Sequence, residues 1–166
     1  TGIAATHMNG TTIHSWSGIG IKDSLNSTYL QSLRSKQYLV RNIEKTHILI
    51  IDEISMLHKN QLDMINQVLK YIRNTAKPFG GMQVVFAGDF FQLPPVSKEQ
   101  ELARDKFAFM SSAWVEAAPV VCYLTEQYRQ TKNELNVILN QIRSGEIDES
   151  AVQLLQETRY NEHTIE

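Results

Sequence analysis

The sequence predicts an α/β fold: a mainly parallel sheet flanked by helices. Three observations carry this. Two apolar runs, residues 47–52 (HILIID) and 82–87 (MQVVFA), read as strands, and the first, rich in Ile and Leu without alternation, reads as buried on both faces. Segments with apolar residues at helical spacing stand between and around them. Each run also ends in acid, Asp52 and Glu53 after the first, Asp89 after the second. The carboxyl ends of parallel strands are where α/β proteins bind ligands, so the acids mark a candidate functional edge.

In chain order, TGIAAT and GTTIHSWSGIG come first. Thr1, Thr6, Thr11, Thr12 and Ser15 offer hydroxyls, and Gly2, Gly10, Gly18 and Gly20 allow close backbone approach. Hydroxyls, a histidine and backbone N–H groups at a helix start suit phosphate contact. The same residues also suit a turn–helix–turn connector capped by Thr and Ser. His7 and His14 are not spaced as a metal pair on one helical turn. Residues 23–46 read as mostly helical, with Leu25, Leu30, Leu33, Leu39, Val40 and Ile43 near helical spacing and a solvated basic face between them.

The strand at 47–52 follows, then a helix over 59–74 with Leu62, Ile65, Leu69 and Ile72 as its core stripe, broken by KPFGG at 77–81. The strand at 82–87 opens into GDFFQLPPV, where Pro94 and Pro95 stiffen the exit. Gln92 can both donate and accept, which suits sensing a phosphate or positioning a water; it can equally be a loop hydrogen-bonder beside two core phenylalanines. Residues 107–117 read as a short helix carrying Trp114, and 120–124 as a third strand running into TEQYRQ. Arg129 then lies just beyond a strand end. Its planar, permanently charged guanidinium can engage phosphate oxygens bidentately, or pair with Glu126. Helices over 133–143 and 151–158 complete the pattern, and 160–166 show no periodicity and are expected to fray.

The 166 residues suffice for one domain with a real core. A net charge of −2 gives no global basic field to draw in nucleic acid or anionic membrane, so any nucleic-acid contact must be local. The single cysteine, Cys122, excludes an intrachain disulfide and a Cys-rich zinc site; within VVCYL it is expected in the core. No run reaches transmembrane length and no signal peptide is visible, so an intracellular protein is expected. A chain opening at Thr1 is expected to be a fragment of something longer.

An aliphatic strand delivering Asp-Glu is the Walker B pattern of P-loop nucleotide hydrolases, where the aspartate holds Mg²⁺ and the glutamate serves the attacking water. Its bland counterpart is a strand ending in a solvated acidic turn. With TGIAA…GTTIHSWSGIG before it, IIDEISML, then VVFAGDFFQLPPV and YLTEQYRQ, the chain resembles the first RecA-like motor domain of Pif-one/RecD-type DNA helicases of superfamily one. TGIAA with TIHS resembles motifs Ia and Ib, IIDEISML motif II, GDFFQLPP motif III and LTEQYRQ motif IV; GDFFQLPP is the most specific. The resemblance implies a partial RecA-like P-loop NTPase domain over residues 1–158, with 159–166 a frayed end or the start of a linker.

It also implies the roles. Asp52 would hold Mg²⁺ and Glu53 would serve the attacking water. Gln92 would touch the γ-phosphate of ATP and link it to DNA. Asp89 would stand at the nucleotide edge, and Arg129 would stabilise charge on the transferring phosphoryl. Thr1, Gly2, Thr11 and His14 would lie along single-stranded DNA. Trp16, Phe90 and Phe91 are each a core residue or a base-stacking platform. The family's Walker A loop, G-x-x-x-x-G-K-[ST], is nowhere in the sequence. In the family it lies upstream of TGIAA, on a strand that sits centrally in the sheet, and a second motor domain lies downstream. The parent protein implied is an ATP-driven, 5′-to-3′ DNA helicase of replication, repair or recombination, cytoplasmic in a bacterium and nuclear or mitochondrial in a eukaryote. Three other readings stand beside it: a non-catalytic RecA-like nucleic-acid-binding module, a RecA-like ATPase that does not unwind, and a metal-dependent hydrolase using Asp52, Glu53 and Asp89 without nucleotide.

Overall fold

The computed structural model describes residues 10–96, 102, 104–126 and 134–158. They fall into two compact units, one ending at Val120 and one beginning at Val121.

The first unit opens with helix α1 (Ile13–Ser17), capped where Thr12 Oγ1 accepts the Ser15 N–H at 3.3 Å. Gly18 ends it at φ +78°, and a β-carbon there would lie 2.9 Å from Leu39 Cδ2 and 3.0 Å from Leu33 Cδ2. The tight fit seats the end of α1 on helices α2 (Ser27–Arg34) and α3 (Gln37–Lys45). The single helical stretch expected over 23–46 is therefore two helices. Asn26 Oδ1 caps α2 through the Tyr29 N–H at 2.8 Å, which starts the helix late, and the chain turns at Ser35 and Lys36 before α3. The apolar spacing still reports the buried side, since Leu30, Leu33, Leu39 and Ile43 are all in the core.

Strand β1 (Ile48–Ile51) and strand β2 (Gln83–Phe86) pair in parallel, Ile48 opposite Gln83 through Ile51 opposite Phe86. Between them runs helix α4 (Lys59–Ile72), whose start is fixed by reciprocal bonds. His58 Nδ1 accepts the Asn60 N–H at 3.1 Å, and Gln61 Oε1 accepts the His58 N–H at 3.2 Å. The stripe Leu62, Ile65, Leu69 and Ile72 is buried as its spacing requires, each such side chain contributing about 1.5–3 kcal/mol. Short 3₁₀ turns at Pro78–Gly81 and Ala108–Met110 and helix α5 (Ser112–Ala117) complete the layer, so the single helix expected over 107–117 is broken at Ser111, which caps α5.

Two expectations about the sheet need correction. The strand at β1 is not buried on both faces: Leu49 and Ile51 point into the core, whereas Ile48 and Ile50 are 53% and 63% exposed, because the described helices of this unit cover one face only. Residues 120–124 are not a strand. Among the described residues they pair with no neighbour, and Val120, Val121, Tyr123 and Leu124 are exposed. A β-prone run becomes a strand only when another strand satisfies its N–H and C=O groups, and the described sheet is β1–β2 alone. Cys122, expected in the core, is exposed with them.

A buried amide holds the α4–α5 layer together. Asn66 Oδ1 accepts the buried Phe79 N–H at 2.7 Å, and its Nδ2 donates to Glu116 Oε2 at 3.2 Å. Lys70 Nζ donates to the same carboxylate at 2.6 Å. The Lys70 bond first, then that from Asn66, holds the Glu116 carboxyl below the usual carboxylate range. Phe79 sits at φ 49°, a conformation this bond helps to fix. Asn66→Ala leaves the buried Phe79 N–H without its acceptor, and is expected to cost about 1–3 kcal/mol, read as a lower urea midpoint at unchanged slope.

The second unit contains helices α6 (Glu134–Ser144) and α7 (Glu149–Thr158). Asp148 starts α7: its Oδ1 accepts the Ala151 N–H at 2.8 Å and the Ser150 hydroxyl at 2.7 Å, and its Oδ2 accepts Gln141 Nε2 at 2.7 Å. These bonds, that from Ala151 foremost, keep its carboxyl below the ordinary range. Residues 159–166 lie outside the described residues. No helix among the described residues is long and apolar enough to cross a membrane.

Candidate functional site

The carboxyl edge of the sheet is built by one residue of β2's exit loop. Beyond the last strand pair, the Ala87 N–H donates to Ile51 O at 2.9 Å and Ala87 O accepts the Ile54 N–H at 3.0 Å. The ladder thus passes from Ile51 straight to Ile54, and Asp52 and Glu53 are looped out of it. Both are exposed. Asp52 Oδ1 accepts the Glu53 N–H at 2.9 Å, and Glu53 takes a left-handed conformation, φ 53° and ψ 45°. An acidic residue held in that region stores about 1–3 kcal/mol of backbone strain, typical of functional turns. Behind it Ile54, Ser55 and Leu57 are buried and anchor the turn.

The loop after β2 leaves beside it as a second compact turn. Asp89 Oδ1 accepts the Phe91 N–H at 3.0 Å, Asp89 O accepts the Gln92 N–H at 3.0 Å, and Gln92 Nε2 donates to Asp89 Oδ2 at 3.4 Å. The Gln92 amide is thereby oriented by a carboxylate while its side chain stays exposed. Phe90 anchors the turn from below, edge-on to Phe109 at 4.9 Å, to Phe107 at 5.8 Å and to Trp114 at 6.2 Å, while Phe86 stacks on Trp114 at 4.8 Å. Phe90 is therefore a packing residue, whereas Phe91 is 72% exposed. Trp16 packs against the core.

Asp52, Glu53, Asp89 and Gln92 thus stand on two adjacent turns at one sheet edge. Thr11 is exposed just before α1, and His14 is half-buried on it. Thr1, Gly2 and Arg129 lie outside the described residues. Among the described residues no three His, Cys, Asp or Glu side chains come together to hold an ion. Asp52 offers a single exposed carboxylate. This fits Mg²⁺, which takes one or two protein carboxylates and fills its octahedron with phosphate oxygens and water. The part Ala87 plays in closing the ladder around Asp52 and Glu53 carries no signal in the motif pattern.

A parallel sheet flanked by helices, with Asp-Glu extruded at the end of one strand and a Gly-Asp turn at the end of its neighbour, is the arrangement of a RecA-like fold. More specifically, the chain belongs to the PIF1-like helicase family, whose pattern matches residues 1–153. It is 56% identical over 170 aligned residues to the ATP-dependent DNA helicase Pif1 of Psychrobacter sp., covering 98% of this chain and 26% of that protein. It is 44% identical to the ATP-dependent DNA helicase RRM3 of Saccharomyces cerevisiae, covering 89% of this chain and 20% of that one. Among solved structures, the Pif1 helicase from Bacteroides in complex with ADP-AlF3 and ssDNA superposes with a TM-score of 0.79 at 34% identity, over 100% of this chain and 40% of that one. Pif1 helicase from Candida albicans superposes with a TM-score of 0.80 at 35% identity, over 92% and 34%. The chain therefore spans about a quarter or less of the length of these two curated relatives.

Proposed function

We propose that these residues form the hydrolytic edge and part of the DNA track of the first motor domain of an ATP-dependent DNA helicase, which couples ATP hydrolysis to 5′-to-3′ translocation on single-stranded DNA and to unwinding. What supports this reading above all is the pair of adjacent turns, because a motor needs its hydrolytic group and its phosphate sensor on elements that move together. Family membership, and a Bacteroides relative seen with ADP-AlF3 and ssDNA, point the same way.

In this reading residues 1–158 are a partial motor domain. Glu53 accepts the proton of the attacking water or orients it, and Gln92 contacts the γ-phosphate. Asp52 would hold Mg²⁺, which neutralises charge on the phosphate oxygens. Asp89 fixes the Gln92 amide, and Arg129 stabilises charge on the transferring phosphoryl. Thr1, Gly2, Thr11 and His14 contact the DNA backbone. The phosphate-cradling loop and the second motor domain belong to parts of the protein outside these 166 residues. Such a protein works where DNA is held: the cytoplasm of a bacterium, the nucleus or mitochondrion of a eukaryote.

The test is strand displacement by the complete protein. A duplex with a 5′ single-stranded tail is expected to be opened only with Mg-ATP, and one with a 3′ tail is not. DNA-stimulated hydrolysis with neither duplex opened would convert the reading to a non-unwinding ATPase, and failure to bind ATP at all would convert it to a binding module.

A further inference from the structure

We propose that Gly88 is a positioning residue, whose bare α-carbon locks the Asp52–Glu53 turn to the Asp89–Gln92 turn so that a change at one is felt at the other. This rests on the roles assigned above to Glu53 and Gln92. Gly88 sits at φ +152°, open to glycine and strained for any side chain. A β-carbon there would lie 2.9 Å from the Ile54 backbone nitrogen, 3.2 Å from Ile54 Cγ2 and 3.5 Å from the Glu53 carbonyl carbon. The nearest of these is backbone and cannot swing aside.

That same nitrogen makes the bond to Ala87 O that closes the ladder around the two acids. Ile54 is 2% exposed, so it has no room to retreat into the core. A side chain at position 88 must therefore stretch the Ile54–Ala87 bond or push the Glu53 turn outward. Asp89 follows directly and orients Gln92 through two contacts, backbone and side chain. Between the Gln92 sensor and the Glu53 backbone there are thus Asp89, Gly88, Ala87, one hydrogen bond and Ile54. The connection is short and stiff, and it runs through main chain. Displacement of Gln92 by phosphate or by DNA is transmitted to Glu53 through it.

The experiment compares DNA-stimulated with basal ATP hydrolysis in the complete protein. At a temperature where each variant is fully folded with and without DNA, the ratio does not depend on the amount of active protein, so a merely destabilising substitution leaves it unchanged. Gly88→Ala is expected to lower the ratio about tenfold or more, with ATP affinity held within about threefold, in keeping with the rate cost of a misplaced catalytic group. Ala87→Gly keeps every bond, removes only an exposed methyl and loosens the same backbone, and is expected to lower the ratio about twofold by adding conformational freedom. If Gly88→Ala does not fold, Ala87→Gly decides alone. Ratios equal to the parent's in every folded variant overturn the proposal. Glu53→Gln in the same series keeps the two failures apart. If it is inactive while the ratios are unchanged, Gly88 has no coupling role and the hydrolytic reading stands. If it turns over normally, the hydrolytic reading falls and takes this proposal with it.

Discussion

Glu53→Gln, in a protein carrying the complete motor, is expected to bind ATP nearly as tightly as the parent and to hydrolyse it about 10²–10⁴-fold more slowly, the usual contribution of a positioned general base. That loss corresponds to about 3–5 kcal/mol in barrier height. The swap keeps the size and shape of the side chain and removes only the charge. It also leaves the turn intact: Glu53 engages Asp52 through its backbone N–H, not its side chain, and its side chain is exposed rather than packed. The left-handed backbone at position 53 is held by the Ala87 bridge on either side, and glutamine places no new demand on it. Binding and turnover should therefore separate cleanly. Nucleotide titration and single-turnover phosphate release on the same preparation check both halves. Normal turnover would reduce Glu53 to a solvated residue at a strand end. Loss of folding together with loss of activity would show that the side chain has a structural role its exposure does not reveal.

How far the sequence reached depended on whether the determining interactions were local. The stripe Leu62, Ile65, Leu69 and Ile72 was legible because helical spacing alone selects a buried face, and all four side chains are buried. The strand runs were legible from their local composition, and so was the presence of acids at their ends, but the exposure of one face of β1 was not. The division of 23–46 into α2 and α3 was not legible from spacing, because apolar residues on two consecutive helices packed on one core keep nearly the same rhythm as one long helix. The strand expected at 120–124 failed on a non-local condition. Its composition is β-prone, yet strand formation is decided by a partner, and among the described residues it has none. The geometry of the site lies at the same limit. Nothing in Asp-Glu-Ile favours a left-handed glutamate. The conformation comes from Ala87, more than thirty positions along the chain, closing the ladder from Ile51 to Ile54. The motif marked the residue type and the edge, and the fold supplied the turn.

The 166 residues by themselves are expected not to hydrolyse ATP at a meaningful rate. Phosphoryl transfer depends on positioning and on neutralising charge spread over the phosphate oxygens. The described edge does the reverse: Asp52, Glu53 and Asp89 gather negative charge on two adjacent turns. With Mg²⁺ and a phosphate cradle those carboxylates are useful; without the cradle they repel a polyanion. The sequence contains no Gly-Lys-Ser or Gly-Lys-Thr loop, and one arginine at position 129 is a weak substitute for a nest of backbone N–H groups backed by a lysine. The apolar surface has a second consequence. Ile48, Ile50 and Val85 are exposed on the sheet, and Val120, Val121, Tyr123 and Leu124 are exposed after α5. β2 also has a strand partner on one edge only among the described residues. Free edges and apolar faces of this kind promote association. The isolated chain is therefore expected to self-associate at micromolar concentration in sedimentation velocity, and to release no phosphate above background with Mg-ATP and single-stranded DNA. Glu53→Gln serves as the control for contaminating ATPases. Sustained turnover that the substitution abolishes would mean that another part of this chain cradles the phosphates, and the assignment of that task to residues outside it would be wrong.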